Sequence, residues 1–390
     1  MTFYMRVGDV PRKRHTWHRG PGGDRLAEEL MGEEGFRGAS SLLYHLGNPS
    51  AVTAVEPAAL ERSPLTTNQP LLPWHIRPDR SGAGGDLVTS RAVLLGNGDV
   101  TICRVTADRG SDLYRNAAGD ELVYLQAGRA RFESVFGAIE AAEGDYVLVP
   151  ASTTHRWEPR AGTVVEALVV EAAGHIRIPE RYLTDRGQLR EGAPFSERDI
   201  RPPEGPLVVD DALSAPVPVL VRTRQGWSRH WHASHPFDVV GWDGSAWPFA
   251  FSIKDFEPVV GRIHQPPPVH QTFAGPGFVV CSFVPRPFDF DPAAVKVPYH
   301  HANVDSDEVL FYSAGDFMSR KGSGIGPGSL TLHPAGFVHG PQPGSVEASV
   351  GAERTEETAV MIDTFSPLLV SEEARRSADP DYPWSWARSP

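Results

Sequence analysis

Asp307-Glu308-Val309-Leu310-Phe311-Tyr312-Ser313-Ala314-Gly315 reads as a buried strand: a carboxylate, six mostly apolar residues, then a glycine able to close a turn. Asp120-Glu121-Leu122-Val123-Tyr124-Leu125-Gln126-Ala127-Gly128 repeats the pattern, and Glu121 lies 187 residues before Glu308. Downstream of each comes G-x5-P-x4-H, as Gly144, Pro150 and His155, then as Gly328, Pro334 and His339. The two histidines are 184 residues apart. Two motifs recurring in one order at nearly half the chain length mark duplicated domains; a solenoid would need three or more short units.

Working outward, each Glu is preceded by a run of β-formers, Val100 to Val105 and Phe278 to Phe283. Turns such as Asn97-Gly98-Asp99 end the strands, so each half is expected to be an antiparallel barrel. The 38 glycines and 36 prolines in 390 residues favour short strands over long helices. The expected architecture is all-β, with an N-terminal arm over 1–80 in which Arg25 to Met31 looks helical. A first barrel follows over 81–175, a connection over 176–245, a second barrel over 246–365 and a tail over 366–390. The tail's aromatic residues suggest docking on a neighbour.

Net charge is −12, from 37 basic and 49 acidic residues, which disfavours binding to phosphate backbones. No apolar run reaches 18 residues, so no membrane partner is expected. Cys103 and Cys281 form no CxxC pair and fit a reducing, cytoplasmic setting as small buried residues.

The paired patterns resemble the two cupin motifs, G-x5-H-x-H-x3–4-E-x6-G and G-x5-P-x-G-x2-H-x3-N. That resemblance implies a metal held inside a barrel mouth by histidines and a glutamate. In the second half His301-Ala302-Asn303 precedes Glu308 at the required spacing, with Asn303 at the second histidine position. Pro334-Ala335-Gly336-Phe337-Val338-His339 supplies the last ligand. The implied ligands are therefore His301, Glu308 and His339. Two imidazoles and one carboxylate form the facial triad of non-haem Fe(II) oxygenases, which leaves coordination positions for substrate and O2. In the first half Tyr114 and Asn116 stand where His301 and Asn303 do, beside Glu121 and His155, and that barrel is expected to be metal-free and structural.

A narrower resemblance is to the homogentisate 1,2-dioxygenase family, including its short bacterial members. His300-His301-Ala302-Asn303, Glu308-x6-Gly315, Leu332-His333, His339-Gly340-Pro341 and the run Arg262 to Phe273 carry it. It implies Fe(II), O2 and a small hydroxylated aromatic acid, with homogentisate opened to maleylacetoacetate. His264 is implied as the base that takes the phenolic proton, an imidazole of suitable ordinary pKa. His333 and His270 are implied at the substrate, and Phe317 stands where the family commonly has a substrate-contacting Tyr. Other ring-cleaving substrates of gentisate type, a Zn-dependent cupin isomerase and a ligand-binding storage protein are the alternatives. A homo-oligomer is expected. His230-Trp231-His232 with His235 could bind metal as an H-x-H pair, but no Glu follows at cupin spacing, and an exposed connector is the expected reading.

Overall fold

The computed structural model describes residues 3–77, 84–320 and 322–387. Two antiparallel sheets carry the duplicated motifs. In one, Asp145–Val149, Glu121–Ala127, Val165–Ala172, Val100–Ala107 and Ala92–Gly96 lie side by side. In the other, Leu330–His333, Asp307–Ala314, Thr358–Thr364, Phe278–Phe283 and Gln271–Gly275 follow the same order. The fold is the all-β double cupin barrel expected from the repeat.

The Glu-x6-Gly pattern has a steric cause at its far end. Gly128 (φ +85°) and Gly315 (φ +91°) adopt left-handed backbone where their strands turn. A Cβ would approach the Val164 carbonyl oxygen to 2.3 Å at Gly128 and the Glu356 carbonyl oxygen to 1.8 Å at Gly315. Only glycine fits either position.

The halves exchange strands. Phe249–Ser252, which falls within the range expected for the second barrel, pairs with Asp145–Val149 of the first. Trp74–Ile76, which precedes the first barrel, pairs with Leu330–His333 of the second. One apolar core runs through both, including Tyr124, Tyr146, Phe273 and Phe311. Even the polar tips there are matched: Tyr124 donates to Ser313 Oγ at 2.8 Å, and Tyr146 meets Ser282 Oγ at 2.9 Å. Burying such a large side chain stabilises by roughly 1.5–3 kcal/mol, so this shared layer ties the barrels together.

Residues 176–245 are more than a connection. Val217–Thr223 and Gly226–His232 join Tyr114–Asn116 and Val52–Ala58 in a seven-stranded sheet that forms the first barrel's second layer. The His230 and His232 segment is thus a sheet strand rather than an exposed connector, with His232 buried and His230 Nε2 2.9 Å from Ser228 Oγ. The corresponding layer of the second barrel is mostly loop, with short pairings such as Arg286–Pro287 against Arg354–Thr355 and a bridge between His301 and His339. That difference leaves His301 partly open to solvent, while Tyr114, at the matching position, is fully buried. Among the described residues no helix is long and apolar enough to cross a membrane.

The helix expected over Arg25 to Met31 is instead the strand Ala27–Gly32, paired antiparallel with Ser40–His45. Ala, Glu, Leu and Met favour helix locally, but a neighbouring strand outweighs that preference. Val239–Gly244 and Met5–Gly8 complete this sheet. Within it His45 is buried between Asp238 (Nδ1 to Oδ1, 2.6 Å) and Glu29 (Nε2 to Oε2, 3.0 Å). Burial works to lower its pKa, but the two carboxylates raise it to about 9. A raised folded-state pKa means stability that is complete below pH ~6.5, declines as pH rises and is gone above about 9. Thermal unfolding followed from pH 6 to 10 should show this decline, and His45→Gln should flatten it.

Candidate metal centre

Pairing across three strands sets the carboxylate. Glu308 lies opposite His333 on one neighbouring strand and opposite Asp363 on the other. His301 and His339 exchange both backbone hydrogen bonds, at 2.8 and 2.9 Å, which brings their rings to 4.3 Å between centroids.

Each ring is then oriented from behind. His301 Nδ1 donates to the Tyr299 carbonyl at 3.1 Å, and His339 Nδ1 donates to the Phe337 carbonyl at 3.0 Å. With the proton on Nδ1, the lone pair sits on Nε2 in both rings. Those nitrogens face Glu308: His339 Nε2 is 3.3 Å from Oε1, and His301 Nε2 is 3.5 Å from Oε2. His339 Nε2 is buried and makes no hydrogen bond. Acceptors that converge on acceptors call for a shared cation, and backbone carbonyls behind ligand histidines are the usual support for one. The three ligand atoms lie within 4.8 Å of one another. Donor set and geometry both fit a divalent transition metal.

Burial works to raise the Glu308 pKa, but the surrounding His301, His333 and His339 hold it well below the ordinary carboxylate range. Asp363, opposite it, is pushed up to about 7 by burial and by the Glu308 charge.

The chain is similar over its whole length to a known protein. A protein of Saccharolobus solfataricus named "Putative dioxygenase" is 38% identical over 393 residues, covering 100% of both chains. The chain belongs to this dioxygenase family. A homogentisate 1,2-dioxygenase of Rhodopseudomonas palustris is 27% identical over 72% of this chain, a match that spans 64% of that protein. A cupin-2 barrel protein from Leptotrichia buccalis aligns over 74% of this chain and 92% of its own, at 9% identity and a TM-score of 0.33. No protein-family model matches.

Around the triad the other expected residues divide. His264 lies on the exposed side, its ring edge-on to Tyr299 at 5.2 Å, and Tyr299 is edge-on to His301 at 6.3 Å. Tyr299, not foreseen from the sequence, thus links His264 to the first ligand.

His333 is one of the residues for which the resemblance implies a substrate role. It is wholly buried, with Nδ1 2.8 Å from Glu308 Oε1 and Nε2 2.8 Å from the Tyr382 hydroxyl, so both nitrogens are taken. Phe317 is also turned inward, its ring packed edge-on against buried Tyr312 at 4.9 Å. His270 is buried against Phe283, 4.5 Å between centroids, and burial pushes its pKa down to about 3. Arg262 is paired with Asp291 at 2.7 Å.

In the first barrel a buried guanidinium stands among the carboxylates of the mouth. Arg91 is buried inside it and bridges Glu121, at 2.9 Å to each oxygen, and Glu171, at 2.9 Å. Tyr114 and Asn116 donate to Glu121 Oε1 at 2.8 and 2.9 Å. Arg62 and Arg222 complete the neutralisation of Glu171. The guanidinium supplies the positive charge that a metal would supply, and in the second barrel His270 stands immediately before the matching strand, as Arg91 does here. Removing one partner of a buried ion pair strands the other charge, at a cost of about 3–5 kcal/mol. Glu121→Ala should therefore lower the unfolding temperature while leaving metal content per chain unchanged, as calorimetry and elemental analysis of one sample would show.

Proposed function

We propose that the chain is an Fe(II)-dependent ring-cleaving dioxygenase for a hydroxylated aromatic acid, with homogentisate the first substrate to test and maleylacetoacetate its product. The observation that carries this reading is the convergence of two imidazole lone pairs and one carboxylate on a point open on one side. A bound Fe(II) supplies electrons to O2 and acidifies a phenol. A single ligand carboxylate leaves a divalent site net positive, which favours a phenolate.

The chain's own residues do the rest. His301, Glu308 and His339 hold the metal, and the Tyr299 and Phe337 carbonyls fix the two rings. The Tyr299 ring, largely exposed beside His301, gives an aromatic substrate a face to pack on. His264 Nδ1 lies 3.8 Å from Asp289 Oδ2. The His264 imidazole accepts the phenolic proton.

The test is anaerobic loading with Fe(II), followed by O2 uptake with a panel of dihydroxylated aromatic acids. Uptake with homogentisate supports the full reading. Uptake only with gentisate-like acids or catechols keeps the chemistry and changes the substrate. Turnover without O2 consumption would replace it with a cupin isomerase.

A further inference from the structure

The tail of the chain lies against the metal barrel of its own molecule. Asp379 is anchored by Arg77 at 2.6 Å, and its backbone N–H donates to the His75 carbonyl at 2.8 Å. Beyond it Tyr382 is buried, with its ring 5.2 Å from Trp386. Two contacts then reach the site. Glu308 can only accept, so the His333 proton is on Nδ1, pointing at Oε1. His333 Nε2 is therefore an acceptor, and the Tyr382 hydroxyl donates to it at 2.8 Å. Separately, Trp386 Nε1 donates to the carbonyl of Gly340, next to ligand His339, at 3.0 Å. Arg320, itself buried, donates to the same carbonyl, and Gln342 donates to Ser385 Oγ at 3.0 Å.

We propose that the C-terminal segment 379–387 is the positioning element of the metal centre, with Tyr382 fixing Glu308 through His333 and Trp386 fixing the backbone beside His339. The proposal rests on the metal reading above and assigns Tyr382, His333 and Trp386 as positioning residues. The chain of donors runs one way. Tyr382 holds the His333 tautomer, His333 pins Oε1, and the geometry of the carboxylate follows.

The test is Co(II) titration of the full chain, read by affinity and by the ligand-field spectrum, on the wild type, Tyr382→Phe, His333→Phe and the double variant. Loss of an outer partner of a ligand typically weakens metal binding roughly 10–100-fold. His333→Phe is expected in that range, with a changed spectrum. Tyr382→Phe, which keeps the ring in place, is expected at about its lower end. If the two act in series, the double variant binds no more weakly than His333→Phe alone. Unchanged Co(II) affinity and spectrum in Tyr382→Phe, even with a lowered unfolding temperature, would reduce the tail to packing and overturn the proposal. So would losses that multiply in the double variant. A wild type that binds no Co(II) would overturn the metal reading along with it.

Discussion

Glu308→Ala is expected to leave a folded chain that retains no metal and shows no O2-dependent turnover. The carboxylate is the single negative ligand, and it stands between three imidazoles whose nitrogens lie 2.8 to 3.5 Å away. Without it two neutral histidines remain, too little to hold a divalent ion against water. The loss should exceed the roughly 10–100-fold that outer partners cost. His339→Ala should match it, because Nε2 of that ring is buried and has no other hydrogen-bonding use. The fold should survive: the new orphan in Glu308→Ala is His333 Nδ1, a cost of about 1–3 kcal/mol. Elemental analysis beside an unfolding curve checks both halves of the expectation. Metal retained at wild-type content in folded Glu308→Ala would remove the site from the triad.

The second large effect concerns His264. His264→Ala should keep the metal and lower turnover by roughly 10²–10⁴, the usual contribution of a positioned acid or base. His264 is half-exposed, and its ring contact runs to Tyr299 rather than to a ligand, so its removal leaves the ligands in place. Phenols that ionise more readily need less help from a base, and the loss should shrink along a series of increasingly acidic substrates. Wild-type turnover in a metal-replete variant, or a loss that ignores phenol acidity, would reduce His264 to a loop residue.

The repeat made the double barrel legible, because Glu-x6-Gly and G-x5-P-x4-H are local patterns with local causes: a strand carrying an inward carboxylate and a turn that only glycine fits. The spacing of His301, Glu308 and His339 was legible for the same reason. What the sequence hid is non-local. The exchange of Trp74–Ile76 and Phe249–Ser252 between sheets depends on pairing across more than a hundred residues. Arg91 lies 30 residues before the Glu121 it neutralises, with no spacing rule to join them. The family resemblance implied a substrate role for His333, but no local pattern showed that its outer nitrogen meets Tyr382, 49 residues on. Within the chain, Tyr382 and Trp386 of the tail reach the second barrel, again across long sequence separations. Ala27–Gly32 became a strand because Ser40–His45 offered it a partner.

The central claim, a single metal site in the second barrel that uses O2 to open an aromatic ring, is tested most directly with labelled O2. The chain is loaded anaerobically with Fe(II), given homogentisate and ¹⁸O2, and the product is weighed. The account predicts a ring-opened acid carrying both atoms of one O2 molecule, with one iron per chain. A product without label, or label introduced by chains whose His301, Glu308 and His339 have been replaced, would contradict it.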